Sequence, residues 1–181
     1  MTESVYDDLA GIVDLFGALT REELEDALDE LAFKQGRETD TDALSDTISD
    51  AIDAYYLVAY ETDEESDDGS DADAEVDADA DAGTNGELLT VGPMAFPTLP
   101  PRAEDLPHIL DYPEREVPRD ELAEQVEARL RAAAASAVQS DDTDEIERLL
   151  DVTYDLEAWA DTDVASIRDR LDAALAGEGQ A

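Results

Sequence analysis

Apolar residues recur every third or fourth position through most of this chain, and the phase of that recurrence marks out helices. Val5, Leu9, Ile12, Val13 and Phe16 share one face of a segment from Ser4 to Phe16, with Asp7, Asp8 and Asp14 between them. Ser4 is placed to cap this helix and Gly17 to end it. Leu24, Ala27, Leu28 and Leu31 form the next stripe, and Phe33 extends it. Thr20 and Glu23 have the spacing of a capping box, and Leu19 and Leu24 stand at the two staple positions. Lys34 in the last turn and Gly36 just after it suit a helix C-terminus. A third stripe, Leu44, Ile48, Ala51, Ile52 and Tyr55, follows a cap at Asp40 or Thr41. Its outer face carries Ser45, Asp46, Ser49, Asp50 and Asp53.

The period then falls to two. Tyr55 to Glu61 reads as a strand, with Tyr56, Val58 and Tyr60 on one side and Leu57 and Ala59 on the other. Glu87 to Val91 is the strand that pairs back on it, and Met94-Ala95-Phe96 continues past a break at Gly92-Pro93. Residues 62–86 between them are an Asp/Glu/Ala/Ser/Gly tract whose only branched aliphatic is Val76. Such a tract buries too little to offset about 1–2 kcal/mol of backbone ordering entropy per residue, so it reads as a disordered hairpin tip. Pro97, Pro100, Pro101, Pro107, Pro113 and Pro118 then exclude long helices and central strands and predict an extended connector. Leu99, Leu106, Ile109, Leu110 and Tyr112 should lay that connector on the core.

Helical spacing returns after Pro118 with Leu122, Val126, Leu130, Ala134 and Ala137, and Glu127 to Arg131 is a favourable i, i+4 pair. Asp142 to Glu145 opens a helix with Ile146, Leu149, Leu150, Tyr154 and Leu156, closed by Trp159. Thr162 or Asp163 opens the last one, with Val164, Ile167, Leu171 and Leu175, ended by Gly177. The expected fold is mostly α with one β-hairpin, an α+β arrangement. Helix, helix, helix, hairpin is the order of a winged helix-turn-helix. Residues 1–61 and 87–97 would form that unit, 62–86 an acidic insertion in its hairpin, 98–117 the connector and 118–177 a C-terminal helical segment.

Charge changes this picture most. The chain carries 51 Asp and Glu against 11 Lys and Arg, a formal net charge of −40, and Lys34 is its only lysine. The acids are spread over the predicted helices, not confined to one tail. In dilute buffer such a chain repels itself; at molar salt the Debye length shrinks to about 3 Å and the repulsion is screened. With its abundant Asp, Glu, Ala and Thr and near absence of Lys, the chain resembles the uncharacterised acidic proteins of halophilic archaea with a winged-helix-like N-terminal half. That resemblance covers residues 5–97 and rests on element order. It implies K+ ions bound non-specifically to the acidic surface.

The function classes narrow accordingly. A winged helix that binds DNA inserts its third helix in the major groove and neutralises phosphates with Lys and Arg. Here the stretch from Glu38 to Pro101 holds nineteen acids and no Lys or Arg. The candidate nucleic-acid contacts reduce to Arg21, Lys34 and Arg37, too few for a basic stripe. Asp77-Ala78-Asp79-Ala80-Asp81 resembles the start of a calcium loop, but Ala82 stands where that loop needs glycine and Leu88 where it needs a bidentate Glu. The lone histidine, His108, sits between Pro107 and Ile109 in the connector and reads as structural or solvated, since a general base needs a positioned partner. There is no cysteine, no phosphate-cradling glycine loop and no nucleophile elbow. No catalytic residue, metal ligand or cofactor is therefore expected. No apolar run is long enough for a membrane span and no basic leader opens the chain, so a cytoplasmic location is expected. The expected role is non-enzymatic, with a protein partner or a homo-oligomer. Tyr56 and Tyr60 are the candidate contact residues if the hairpin is covered on one face only. The alternative is a DNA-binding regulator of winged helix-turn-helix type.

Overall fold

The computed structural model describes residues 2–36, 40–61 and 87–178. Among them are seven α-helices and one three-stranded antiparallel sheet. The order is α1 (Thr2–Phe16), β1 (Leu19–Thr20), α2 (Arg21–Lys34), α3 (Thr41–Asp53), β2 (Leu57–Glu61) and β3 (Glu87–Val91). A 3-10 turn at Ala103–Asp105 leads into the short α4 (Leu106–Ile109), and α5 (Arg119–Ser140), α6 (Thr143–Trp159) and α7 (Ala165–Glu178) follow. The fold is α+β, as the sequence predicts. The expected acidic hairpin tip and the calcium-loop likeness at residues 77–81 lie outside the described residues.

Local signals set the first three helices. Gly17, with φ of 78°, turns the chain out of α1. The Thr20 hydroxyl accepts the amide of Glu23, whose carboxylate accepts the amide of Thr20, so the capping box is complete. Leu19 and Leu24 are both fully buried beside it. Gln35 closes α2, and Gly36, with φ of 70°, takes the left-handed position after it. Asp40, not Thr41, caps α3, accepting the amide of Ala43 at 3.3 Å.

The sheet runs β1-β3-β2. Leu19 pairs with Leu89, and Leu57 to Glu61 pair with Val91 to Glu87 in antiparallel register. β1 is only two residues long, so no periodicity announces it. Alternation along β2 then divides the molecule. Leu57 and Leu89 enter one core with Leu9, Ile12, Phe16 and Leu24 from α1 and α2. Val58 and Tyr60 enter a second core with Leu122, Val126 and Leu130 of α5 and Leu149 of α6. β2 is thus covered on both sides, by the N-terminal helices on one and by the C-terminal helices on the other. β2 therefore places apolar residues in both directions, and the two cores meet at that strand.

Several expectations are corrected. Tyr55 is not strand. It ends α3 in a left-handed turn, φ 63°, with its ring buried among α5 and α6 residues. Phe33 does not extend the buried stripe of α2; it is 78% exposed. Val5 and Tyr154 are also exposed, although each falls at helical spacing with buried neighbours. Met94 to Phe96 do not continue β3, because Gly92 and Met94 donate to the carbonyls of Tyr56 and Tyr55 and turn the chain away. The connector is not wholly extended. Pro107 sits in the first turn of α4, where its missing N–H is harmless, and Leu106 and Ala103 are buried in the first core. Leu99 and Ile109 remain exposed.

Candidate functional site: the α3 face and its arginines

The outer face of α3 is polar and acidic. Ile48 and Ala51 are buried and Leu44 and Ile52 partly so, which turns Asp42, Asp46, Ser49, Asp50 and Asp53 outward. Asp42 favours the positive N-terminal end of the helix dipole, but Asp50 and Asp53 stand at the negative end, where carboxylates are unfavourable.

Arginines from distant elements answer that charge. Arg129 of α5 reaches Asp53 at 2.9 Å, and Arg148 of α6 donates to the Asp53 carbonyl at 3.3 Å. Both are cations at a helix C-terminus, the placement the dipole favours. Their guanidinium groups lie 4.7 and 5.9 Å from the centre of the Tyr55 ring, a cation–π arrangement. Arg148 is held in turn by both carboxylate oxygens of Glu145, at 2.8 and 2.6 Å. That bond to Glu145 raises its pKa. The Tyr55 hydroxyl is buried with no hydrogen-bond partner. Burial raises its pKa; the two arginines act against this, and Glu145 and Asp53 add to it. This cluster joins α5 and α6 to the end of α3, and each of its guanidinium groups already has a carboxylate.

The three candidate nucleic-acid residues do not come together. Arg21 approaches α3 through the Ser45 carbonyl at 3.4 Å and the Ser49 hydroxyl at 3.3 Å. Lys34 is at the other end of α2, about 20 Å away along a helix that rises 1.5 Å per residue. Its ammonium lies 3.7 Å from Asp105, and its carbonyl accepts Arg102. Arg37 lies outside the described residues. Other cations are committed elsewhere: Arg115 to Glu23, Arg131 to Glu127 and Arg168 to Glu157.

The condition attached to Tyr56 and Tyr60 is not met, since β2 is covered on both of its sides. Tyr60 is 8% exposed, and its hydroxyl donates to Glu121 of α5 at 2.6 Å. Tyr56 is half-buried with its ring edge-on to Tyr6, 5.2 Å between centroids. Gln125 of α5 uses its side-chain amide to bond both the N–H and the carbonyl of Glu61 at 3.5 Å, covering part of the free edge of β2. A groove of about 430 Å³ lies beside that edge, lined by Tyr55, Val58, Ala59, Glu61, Gln125, Val126, Ala128 and Arg129. It contains one free carboxylate, Glu61, and one guanidinium already paired with Asp53. His108 is exposed on α4 and does not line it. Among the described residues no cluster of three His, Cys, Asp or Glu side chains has metal-binding geometry. No described helix is long and apolar enough to cross a membrane.

No curated protein and no solved structure matches the chain. A family model does match it, over residues 7–176, nearly the whole length and both cores. The chain belongs to DUF7109, a family of unknown function.

Proposed function

We propose that this chain is a non-enzymatic, cytoplasmic protein-interaction or regulatory module on a winged-helix-like scaffold, adapted to a halophilic interior. The scaffold reading is supported by the sequence α1-β1-α2-α3-β2-β3 together with the strand order β1-β3-β2. The halophilic reading is supported by the net charge of −40 and the single lysine.

The observation that carries the reading is the sign of the α3 surface. A helix that enters a groove needs cations to replace the counterions it releases from phosphate. The outward side chains of α3 include Asp42, Asp46, Asp50 and Asp53, and α3 contributes no cation. High salt weakens repulsion from phosphate and does not convert it to attraction. Protein contacts do not depend on counterion release, so the same scaffold can serve them. K+ would neutralise the acidic surface in a diffuse layer, without defined sites.

The test is a pull-down with tagged chain from cell extract at multimolar KCl, with and without nuclease. A stable protein companion that survives nuclease is the expected result. Recovery of one defined DNA fragment, lost on nuclease treatment, would overturn the reading in favour of a DNA-binding regulator.

A further inference from the structure

The strand order leaves β2 at an edge of the sheet, and the register assigns each of its backbone groups to a side. Gly92 donates to the Tyr56 carbonyl, and Leu57 to Glu61 pair with Val91 to Glu87. In an antiparallel ladder, backbone groups alternate between the two neighbouring positions. Tyr56, Val58 and Tyr60 therefore turn their N–H and C=O towards β3, and Leu57, Ala59 and Glu61 turn theirs to the free edge. Leu57 is fully buried. The Glu61 N–H and carbonyl are met by the Gln125 side-chain amide, which bonds both as the backbone of a neighbouring strand would. Both bonds are 3.5 Å, long for N–H···O and open to displacement. That cover stops at Glu61. Ala59, half-buried, has no hydrogen-bond partner for either backbone group among the described residues.

Two features of the surroundings select what completes this edge. The groove of about 430 Å³ runs beside it, with Val58, Val126 and Ala128 as its apolar lining. Tyr55, whose hydroxyl likewise lacks a partner, lines the same groove. At the end of the strand, Glu61 and Glu87 stand directly opposite each other in the register, both exposed. Neither has an ion pair among the described residues. Like charges so placed repel each other, and a cation beside them relieves the repulsion.

Backbone donors and acceptors repeating every second residue along a free edge are matched by another extended chain. A second copy offering its own β2 would bring another Glu61 to the same place, and a further net charge of −40 with it. The charge instead favours a basic chain. We propose that the β2 edge at Ala59 and Glu61 accepts an extended peptide from a partner protein, which adds as a fourth strand beside β2. Its backbone pairs with Ala59 and displaces Gln125 from Glu61. Alternate apolar side chains enter the groove, and a lysine or arginine between them stands beside Glu61 and Glu87. The proposal rests on the protein-contact reading above and names its surface and the chemistry of its partner.

Titration of the isotope-labelled full chain with the capped peptide acetyl-Thr-Val-Lys-Val-Thr-amide, in multimolar KCl and followed by amide NMR, tests this. The Ala59 and Glu61 resonances are expected to shift saturably. The same peptide N-methylated at every residue, which has no backbone donors, should bind at least about tenfold more weakly. Glutamate in place of its lysine should weaken binding about threefold. Gln125→Ala should tighten binding about threefold, because it frees the backbone groups of Glu61. Ala59→Pro removes an edge N–H and no ladder bond, and should weaken binding at least about tenfold. Where that variant loses helix content by circular dichroism, Glu61→Lys takes its place, and should reverse the preference between the lysine and glutamate peptides. No shift at Ala59 and Glu61 up to millimolar peptide, or equal binding by the N-methylated form, overturns the proposal. Such a failure, with a nuclease-resistant protein companion still recovered from extract, overturns this edge alone and leaves the protein-contact reading standing.

Discussion

Replacing Arg115 by Ala tests how the connector is fixed to the N-terminal core. The Arg115 guanidinium forms two bonds to the Glu23 carboxylate, at 2.6 and 2.8 Å, across 92 positions of sequence. The side chains are 26% and 17% exposed, between a surface pair and a buried one. Exposed pairs contribute up to about 1 kcal/mol, and breaking a buried pair costs about 3–5, so a loss of about 2 kcal/mol is expected. For a chain of this size that lowers Tm by roughly 4–8 °C. Thermal unfolding followed by circular dichroism in multimolar KCl would read it, with Arg131→Ala as a control whose side chain is 58% exposed. The pH dependence is a second reading of the same bond. Burial pushes the Glu23 carboxyl up, but its bonds to Arg115 and Thr20, with the Arg115 charge, outweigh this and leave it below its ordinary value of 4.5. A depressed carboxyl stabilises the fold above its unfolded pKa and loses that contribution as pH falls through the folded value. The gap between wild type and Arg115→Ala should therefore be full at neutral pH and shrink below the ordinary glutamate range. An unchanged Tm at neutral pH, or a gap that persists in strong acid, would refute the reasoning.

Other predictions follow from single contacts. Gly11→Ala should lower stability by about 1–3 kcal/mol despite the better helix propensity of Ala, because the added methyl meets the Thr98 carbonyl; a urea midpoint measures it. Gly177→Ala, with nothing within 4 Å of the new methyl, should instead leave stability unchanged or raise it by up to about 1 kcal/mol in the same titration. Tyr55→Phe removes a buried hydroxyl that has no partner and keeps a ring under Arg129, so Tm should stay level or rise; a fall of several degrees would mean that the hydroxyl is satisfied in solution. Lowering KCl from multimolar to dilute should unfold the chain, as self-repulsion at −40 loses its screening, and a salt series of melting curves reads this directly.

How legible the molecule is in its sequence depends on the range of the interaction. The Thr20–Glu23 box, the Asp40 and Asp142 caps and the stripe from Leu122 to Ala137 are local patterns, and the structure follows them. Tyr55 misleads because its alternation with Leu57 and Ala59 is real, yet the chain must turn at that point to leave α3. Phe33 misleads because apolarity at helical spacing says nothing about whether a neighbour arrives to cover it. The second core behind Val58 and Tyr60 is invisible locally, since it depends on α5 and α6 packing from more than sixty residues away. The same holds for Arg129 and Arg148 at the end of α3. Their gathering there is a tertiary event, and charge counting along residues 38–101 cannot foresee it. What that count does reveal, the absence of cations on α3 itself, survives in three dimensions.

The central claim is that the α3 face does not read DNA. The most direct measurement is repeated selection of random duplex DNA on the immobilised chain at multimolar KCl, followed by sequencing of what is retained. The account predicts no enriched sequence. Enrichment of one motif, with its retention abolished by Arg21→Ala or by substitutions along the outer side of α3, would contradict it.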